Sequence, residues 1–100
     1  MKDGIKILLE KYIEKLKDSD YKPKKLENLE THIDATVFLQ EHKIMLDHIY
    51  WMSKETLDLL DTDEDVAMRQ LGFIQSCLWI AGFYSMEEIE AQNRQVELLK

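Results

Sequence analysis

The sequence predicts an all-α protein, a small helical bundle of about four helices that forms a single domain over residues 1–100. Apolar residues make up 45% of the chain and charged residues 33%, which is typical of a folded globular protein. Only three glycines and one proline are present, fewer than strands joined by tight turns normally need. Apolar side chains also recur at steps of three and four, the period of a helix with one buried face.

The first predicted helix covers Asp3 to Lys17 and has one apolar face. Lysines and glutamates fill the opposite face. The apolar face consists of Ile5, Leu8, Leu9, Tyr12, Ile13 and Leu16. The run Asp18-Ser19-Asp20 ends this pattern, and Pro23 disfavours helix in the residue before it. Residues 19–22 are therefore predicted to form a loop.

The second predicted element is one long central helix over residues 23–60, a stretch with no glycine and no turn cluster. At 1.5 Å per residue it would be about 50 Å long. It either projects from the body, breaks without a sequence signal, or is covered by another chain. Seven of the nine residues from Ile44 to Met52 are apolar, so apolar side chains surround most of this helix. We therefore expect self-association, as a dimer or larger, through Leu46, Ile49, Tyr50 and Trp51.

A third helix is predicted to follow the acidic run Asp61-Thr62-Asp63-Glu64-Asp65. Thr62 and Asp65 have the spacing of a capping box, and carboxylates favour the positive end of a helix dipole. The buried stripe of this helix is predicted to be Ala67, Leu71, Ile74, Leu78 and Ala81. Gly72 and Ser76 are small residues four positions apart, which would let another helix approach closely.

The fourth predicted helix runs from Met86 to about Leu99. Gly82 suits the C-terminus of the preceding helix, because glycine adopts the left-handed conformation readily. Ser85 and Glu88 have the spacing of a second capping box. These signals make this the best-defined helix start in the chain.

The sequence contains no pattern typical of an enzyme, so we predict no catalytic residue and no cofactor. Asp34, Glu41, His48 and Glu55 recur every seven residues, but successive members would lie about 10 Å apart, too far for one metal ion. No metal site is predicted. The single cysteine, Cys77, has no histidine or lysine close in sequence and is predicted to be a core residue.

The net charge of −7 is unevenly distributed and restricts the possible partners. Residues 1–25 carry eight lysines and five acidic residues, while residues 26–100 carry five basic and fifteen acidic residues. Most of the chain should therefore repel nucleic acid and attract basic surfaces. No run approaches the roughly 18 apolar residues of a membrane span, and no signal-peptide core is present, so a cytoplasmic location is expected.

Residues Arg69–Gly82 read RQLGFIQSCLWIAG and are followed by Ser85-Met86-Glu87-Glu88 and Asn93-Arg94. This stretch, about a quarter of the chain, resembles small uncharacterised accessory proteins of tailed bacteriophages. The resemblance implies an accessory phage protein in the bacterial cytoplasm, often one that binds a host factor or a defence component.

Two classes of function follow from these observations. The first is a protein that binds and modulates or inhibits a host protein with a basic surface, through helical and acidic surfaces. Its expected contact residues are Asp58, Asp61, Asp63 and Glu64. The second is a ligand-sequestering protein, with a small molecule or nucleotide in a pocket between protomers near His48, Trp51 and Trp79.

Overall fold

The computed structural model of the chain describes residues 2–26, 38 and 40–98. Within these residues the chain forms four helices and no strand: α1 at Lys2–Asp18, α2 at His42–Leu59, α3 at Glu64–Ile80 and α4 at Met86–Leu98. Helix α2 packs against both α1 and α3, and α4 packs against α1. The prediction of a small all-α bundle is confirmed.

Helix α1 buries the face that its apolar period predicts. Ile5, Leu9, Tyr12 and Leu16 have no exposed surface, and Leu8 retains 5%. Their spacing of three and four places them on one side of the helix, against α2 and α4. Each such burial is worth roughly 1.5–3 kcal/mol, so this face holds α1 in the bundle.

The end of α1 is a left-handed turn at Asp20, whose φ is 67°. The N–H of Tyr21 donates to the carbonyl of Leu16 at 3.0 Å, and the N–H of Asp20 donates to the carbonyl of Lys17 at 3.1 Å. These are the two bonds of a Schellman motif, and aspartate tolerates the left-handed region better than most residues. The predicted end of the helix in the Asp18–Asp20 run is confirmed.

The predicted helix over residues 23–60 is not continuous, as one of the alternatives given above allowed. Residues 21–26 are not helical, and α2 begins well after them. The N–H of Lys24 donates to the carbonyl of Asp47 at 3.1 Å. In a continuous helix these two residues would be about 35 Å apart, so the chain must turn back between them. Most of the stretch between this segment and α2, residues 27–37 and 39, lies outside the described residues.

The 21–26 segment is held beside the start of α2 by hydrogen bonds to two buried polar side chains. The N–H of Lys22 donates to Asp47 Oδ1 at 3.0 Å, and the N–H of Leu26 donates to His48 Nδ1 at 3.0 Å. Lys43 Nζ donates to the other oxygen of Asp47 at 2.9 Å. Asp47 is 7% exposed and His48 is 3% exposed. The segment therefore gives α2 a third neighbour besides α1 and α3.

The apolar middle of α2 is buried by the chain itself. Leu46, Ile49 and Tyr50 are 1%, 0% and 8% exposed in the single chain, and Trp51 is partly buried. Neighbours in the same chain cover these residues, because α1, α3 and the 21–26 segment all pack against this helix. Self-association stays a prediction, but Leu46, Ile49 and Tyr50 are not available to carry it.

Helix α3 is capped by Asp63 and not by Thr62. The Oδ1 atom of Asp63 accepts a hydrogen bond from the N–H of Val66 at 3.3 Å, while the N–H of Asp63 donates to the carbonyl of Leu59 at 2.7 Å. The capping-box prediction for Thr62 and Asp65 is therefore wrong by one residue. Several neighbouring side chains could cap this helix, and the position at which α2 ends selects Asp63.

The connection from α3 to α4 follows its local sequence signals. Gly82 has a φ of 80°, and the N–H of Phe83 donates to the carbonyl of Leu78 at 2.9 Å, as in a Schellman motif. Ser85 Oγ accepts from the N–H of Glu88 at 3.1 Å, and the Glu88 carboxylate accepts from the N–H of Ser85 at 2.9 Å. The predicted capping box is confirmed.

A partly buried polar cluster joins α4 to α1 and α3, with Tyr12 and Gln75 buried and Asn93 exposed. Gln75 Nε2 donates to the hydroxyl of Tyr12 at 3.2 Å and to Asn93 Oδ1 at 2.7 Å. The Tyr12 hydroxyl in turn donates to Gln92 Oε1. A buried donor or acceptor that loses its partner costs about 1–3 kcal/mol. The cluster therefore favours one docking position of α4 over its alternatives.

Candidate functional site

The surface that the sequence singles out is the acidic turn, defined here as Asp58, Asp61, Asp63, Glu64 and Asp65. The end of α2, the turn after it and the first turn of α3 bring these five side chains into one region. All five residues are exposed. The fold therefore presents the predicted contact residues to solvent, together with Asp65.

Two carboxylates of the acidic turn have structural partners. Asp63 caps α3, as described above. Asp61 Oδ1 lies 3.6 Å from Lys2 Nζ, and the Asp61 side chain remains 88% exposed, so the ion pair contributes little, about 0–1 kcal/mol. Lys2 and Lys6 also line a cleft of about 330 Å³ together with Asp58 and Asp61. The sequence did not predict that the lysines of α1 would stand beside these acids.

The other carboxylates of the turn contribute less to the stability of the fold. Among the described residues, the ion pairs are Lys2–Asp61 and Lys43–Asp47, so Glu64 and Asp65 form none. Both lie in the first turn of α3, where a carboxylate interacts with the helix dipole for about 0.3–1 kcal/mol. Repulsion between neighbouring acids opposes that gain.

The described part of the chain contains no cluster of metal ligands and no exposed thiol. No group of three or more His, Cys, Asp and Glu residues there could hold a metal ion. Asp34, one member of the seven-residue pattern, lies outside the described residues. Cys77 is 2% exposed, which confirms the prediction of a core residue, and burial raises the pKa of its thiol from 9.0 to about 12. The thiol is therefore protonated at neutral pH and a poor nucleophile.

Within one chain, the three residues of the ligand pocket that the sequence predicts between protomers do not lie together, and that pocket stays a prediction. His48 and Trp51 lie together, with ring centroids 5.4 Å apart, and Lys25 Nζ lies 5.1 Å from the centroid of the Trp51 ring. Trp79 is on α3, 49% exposed, and has no ring contact with either among the described aromatic residues. His48 and Trp51 thus serve the packing of the 21–26 segment against α2.

A lysine-lined cleft of about 510 Å³ lies between the 21–26 segment and the start of α2. Four lysines line it, accompanied by two carboxylates and two apolar side chains: Lys22, Lys24, Lys25, Lys43, Glu41, Asp47, Leu26 and Ile44. This cleft is not apparent from the sequence. Three of the lysines are close in sequence, but Lys43 joins them only through the fold.

The outer face of α3 exposes four large apolar side chains. Met68, Phe73, Trp79 and Ile80 are 38%, 40%, 49% and 44% exposed. None of the four belongs to the buried stripe that the sequence predicts for this helix. This surface is called the α3 outer face below.

Comparison of the chain with models of known protein families, with curated proteins and with solved structures gives no match. In the described part of the chain, no helix has the length and hydropathy needed to cross a membrane.

Proposed function

We propose that this chain is an accessory protein of the phage type that binds and modulates or inhibits a host protein in the bacterial cytoplasm. A host component of antiphage defence is the partner that the sequence resemblance favours. The proposal rests on the acidic turn. The fold exposes more carboxylates there than its stability requires. Self-association is part of this proposal, although three of its four expected contact residues on α2, Leu46, Ile49 and Tyr50, lie in the core.

The charges of the turn favour a basic protein surface as the target. Asp63 is used as a cap and Asp61 has a weak ion pair, whereas Glu64 and Asp65 form no ion pair with another described residue. Complementary charges across an interface mainly accelerate association and exclude wrong partners. The net charge of −7 disfavours direct binding to nucleic acid.

Apolar surface next to the turn also supports a protein partner. Met68 follows Glu64 by one turn of α3 and is 38% exposed. An apolar contact bordered by charges is the usual composition of a protein interface. The turn itself is held by the hydrogen bonds of Asp63, so ordering it on binding should cost little entropy.

The test is a double variant, Asp61→Asn with Glu64→Gln, which removes two charges and keeps the Asp63 cap. The partner is first identified by affinity capture from bacterial lysate and mass spectrometry, and the association rate is then measured with both proteins purified. We expect an association rate about tenfold lower at low salt, a weaker dependence of that rate on salt, and a stability within about 0.5 kcal/mol of the original.

The matched control is Glu87→Gln with Glu90→Gln, which removes the same charge from an exposed part of α4. This control should change the association rate much less, because its charges lie outside the proposed contact. If the double variant in the acidic turn associates at the original rate in low salt, the turn is only a solvated helix start and the proposal fails.

The alternative function is sequestration of an anionic small molecule such as a nucleotide, and the lysine-lined cleft is the observation that favours it. The cleft is formed within one chain, unlike the pocket between protomers that the sequence suggested. Lys22 and Lys24 are exposed and could bind a phosphate. Lys25 lies over the ring of Trp51 and Lys43 is paired with Asp47, so those two are less free to do so.

Calorimetric titration with a nucleoside triphosphate tests this alternative. Lys22→Gln with Lys24→Gln should abolish any heat of binding if the cleft is the site, because the phosphates would lose two cationic donors. Lys11→Gln with Lys15→Gln, on an exposed part of α1, removes the same charge and should leave binding intact. Absence of binding by the original protein, or equal loss in both variants, would exclude the cleft.

A further inference from the structure

Helix α4 contributes little to the apolar core. Among the described residues, Val96 is the single member of the buried apolar core that α4 supplies. Ile89, also on α4, is 6% exposed and lies outside that core. By contrast, six residues of α1 and eight of α2 are buried. The core formed by α1, α2 and α3 is therefore nearly complete without α4.

The polar contacts of α4 can be exchanged for contacts with water. Tyr12 donates to Gln92, and Gln75 donates to Asn93 at 2.7 Å. Asn93 is exposed and Gln92 is partly exposed, so water can reach these hydrogen bonds. A hydrogen bond that replaces one to water contributes little net free energy. If α4 moved away, the polar groups of Tyr12 and Gln75 would bond to water instead.

Clefts lie on both sides of α4. The first has a volume of about 290 Å³ and lies between α1 and α4, where Leu8 and Gln95 are among its lining residues. The second has a volume of about 170 Å³, lies between α3 and α4, and is lined in part by Met68 of the α3 outer face. Val96 lines both clefts. Atoms beside a gap lack the dispersion contacts of a close-packed interior, so these edges of α4 add little to its attachment.

The body of the protein holds the chain firmly up to Tyr84. The rings of Tyr84 and Tyr12 have centroids 5.6 Å apart, and the rings of Phe83 and Tyr21 have centroids 6.2 Å apart. Beyond Tyr84, the capping box of Ser85 joins only residues of the same helix start. The part of the chain that can separate from the body therefore begins at the start of α4.

We propose that α4 is a lid: residues 86–98 separate from α1 and unfold as one unit while α1, α2 and α3 stay folded. A free helix of 13 residues is marginal in water, so α4 loses its helical structure when it separates. The opening uncovers the surface of α1 that holds Leu8 and Tyr12. Elements that move when a protein binds or releases a partner come from the least stable part of a fold. This lid goes beyond the proposed host-binding function and uses no residue of the acidic turn.

Native-state hydrogen exchange of the full chain tests the opening, with NMR detection and urea kept well below the unfolding transition. Amides 90–96 of α4 should exchange through one common opening, with protection at least about 100-fold lower than that of the slowest α2 amides. Equal protection of α4 and α2 would overturn the proposal. Protection that decreases residue by residue towards Leu98 would also overturn it, because that is fraying of a helix end.

The variant Ile49→Ala separates this opening from global unfolding. Ile49 has no exposed surface and lies in the core that stays folded when α4 separates. Its truncation should lower the protection of α2 amides at least about tenfold and leave the exchange of α4 amides unchanged. If α4 exchanged only by global unfolding, its protection would fall by the same factor, and the proposal would fail. Ile49→Val gives the same comparison with a smaller loss if the alanine variant does not fold.

The matched variant on the lid is Ile89→Ala. Ile89 is buried only when α4 is attached, so its truncation should speed the exchange of α4 amides at least about tenfold. Protection of α2 amides should fall by the same factor, since global unfolding also starts from the closed state. Unchanged exchange of α4 in this variant would contradict the proposed attachment.

Arginine-specific proteolysis gives a second measure, because the chain has two arginines, Arg69 in α3 and Arg94 in α4. Both are exposed. Relative to the chain unfolded in urea, cleavage after Arg94 should be at least about tenfold faster than cleavage after Arg69. Ile49→Ala should accelerate cleavage after Arg69 alone. Equal relative rates at the two arginines would show that α4 opens only with the whole domain.

Discussion

Replacing Ile49 by alanine should lower the free energy of unfolding by about 2–5 kcal/mol, and by the same amount at every protein concentration. Ile49 has no exposed surface in the single chain and lies in the core formed with α1 and α3. The substitution removes apolar contacts and leaves a cavity. Because the neighbours belong to the same chain, dilution does not change the loss.

Urea denaturation at two widely separated protein concentrations measures this effect. Ile7→Ala is the control, because Ile7 is 56% exposed and its truncation should cost less than about 0.5 kcal/mol. A loss at Ile49 that grows with protein concentration would mean that a second copy covers α2. The sequence-based expectation of contact through Leu46, Ile49 and Tyr50 would then be restored.

Raising the pH from about 9 to 12 should lower the free energy of unfolding by several kcal/mol. In this range two buried groups keep their protons in the folded state but lose them in the unfolded state. Burial raises the pKa of Tyr12 from 10.0 to about 12, and burial raises the pKa of Cys77 from 9.0 to about 12. Both groups are neutral when protonated, so the folded state retains their protons more strongly than the unfolded state. Their contribution is complete below the unfolded pKa values and is lost as pH rises through the folded ones.

Thermal melting across this pH range measures the loss, which for each group approaches about 1.4 kcal/mol per pH unit within its window. The variant Tyr12→Phe with Cys77→Ala should be less stable at pH 8 but should lose less stability between pH 9 and 12. Its cost at pH 8 comes from the partners left in the polar cluster, Gln75 and Gln92. An equally steep alkaline decline in this variant would show that other groups control it.

The sequence alone determined the features that depend on neighbours within about four residues. The apolar period of α1 predicted its buried face, from Ile5 to Leu16. Ser85 and Glu88 predicted the start of α4, and Gly82 predicted the left-handed turn before it. Capping groups and helical faces act over one or two turns, so a single sequence contains the information that they need.

The structure of the acidic turn was only partly predictable, because some of its features depend on residues distant in sequence. The exposure of Asp58, Asp61 and Glu64 follows from their charge and could be predicted from the sequence. The use of Asp63 as the cap depends on where α2 ends, and the approach of Lys2 to Asp61 depends on how α1 packs. Neither the cap nor the ion pair can be predicted from residues adjacent to the turn.

The tertiary structure decided which apolar surfaces are covered. Residues 21–26 have no strong local preference against helix beyond Pro23, yet they lie beside α2 because Asp47 and His48 accept their N–H groups. That packing buries α2 within one chain. Conversely, Trp79 and Ile80 are large apolar residues off the predicted buried stripe, and no other part of the described chain covers them fully, so they remain exposed. Burial depends on contacts between residues distant in sequence, and periodicity identifies an apolar face without specifying which part of the molecule covers it.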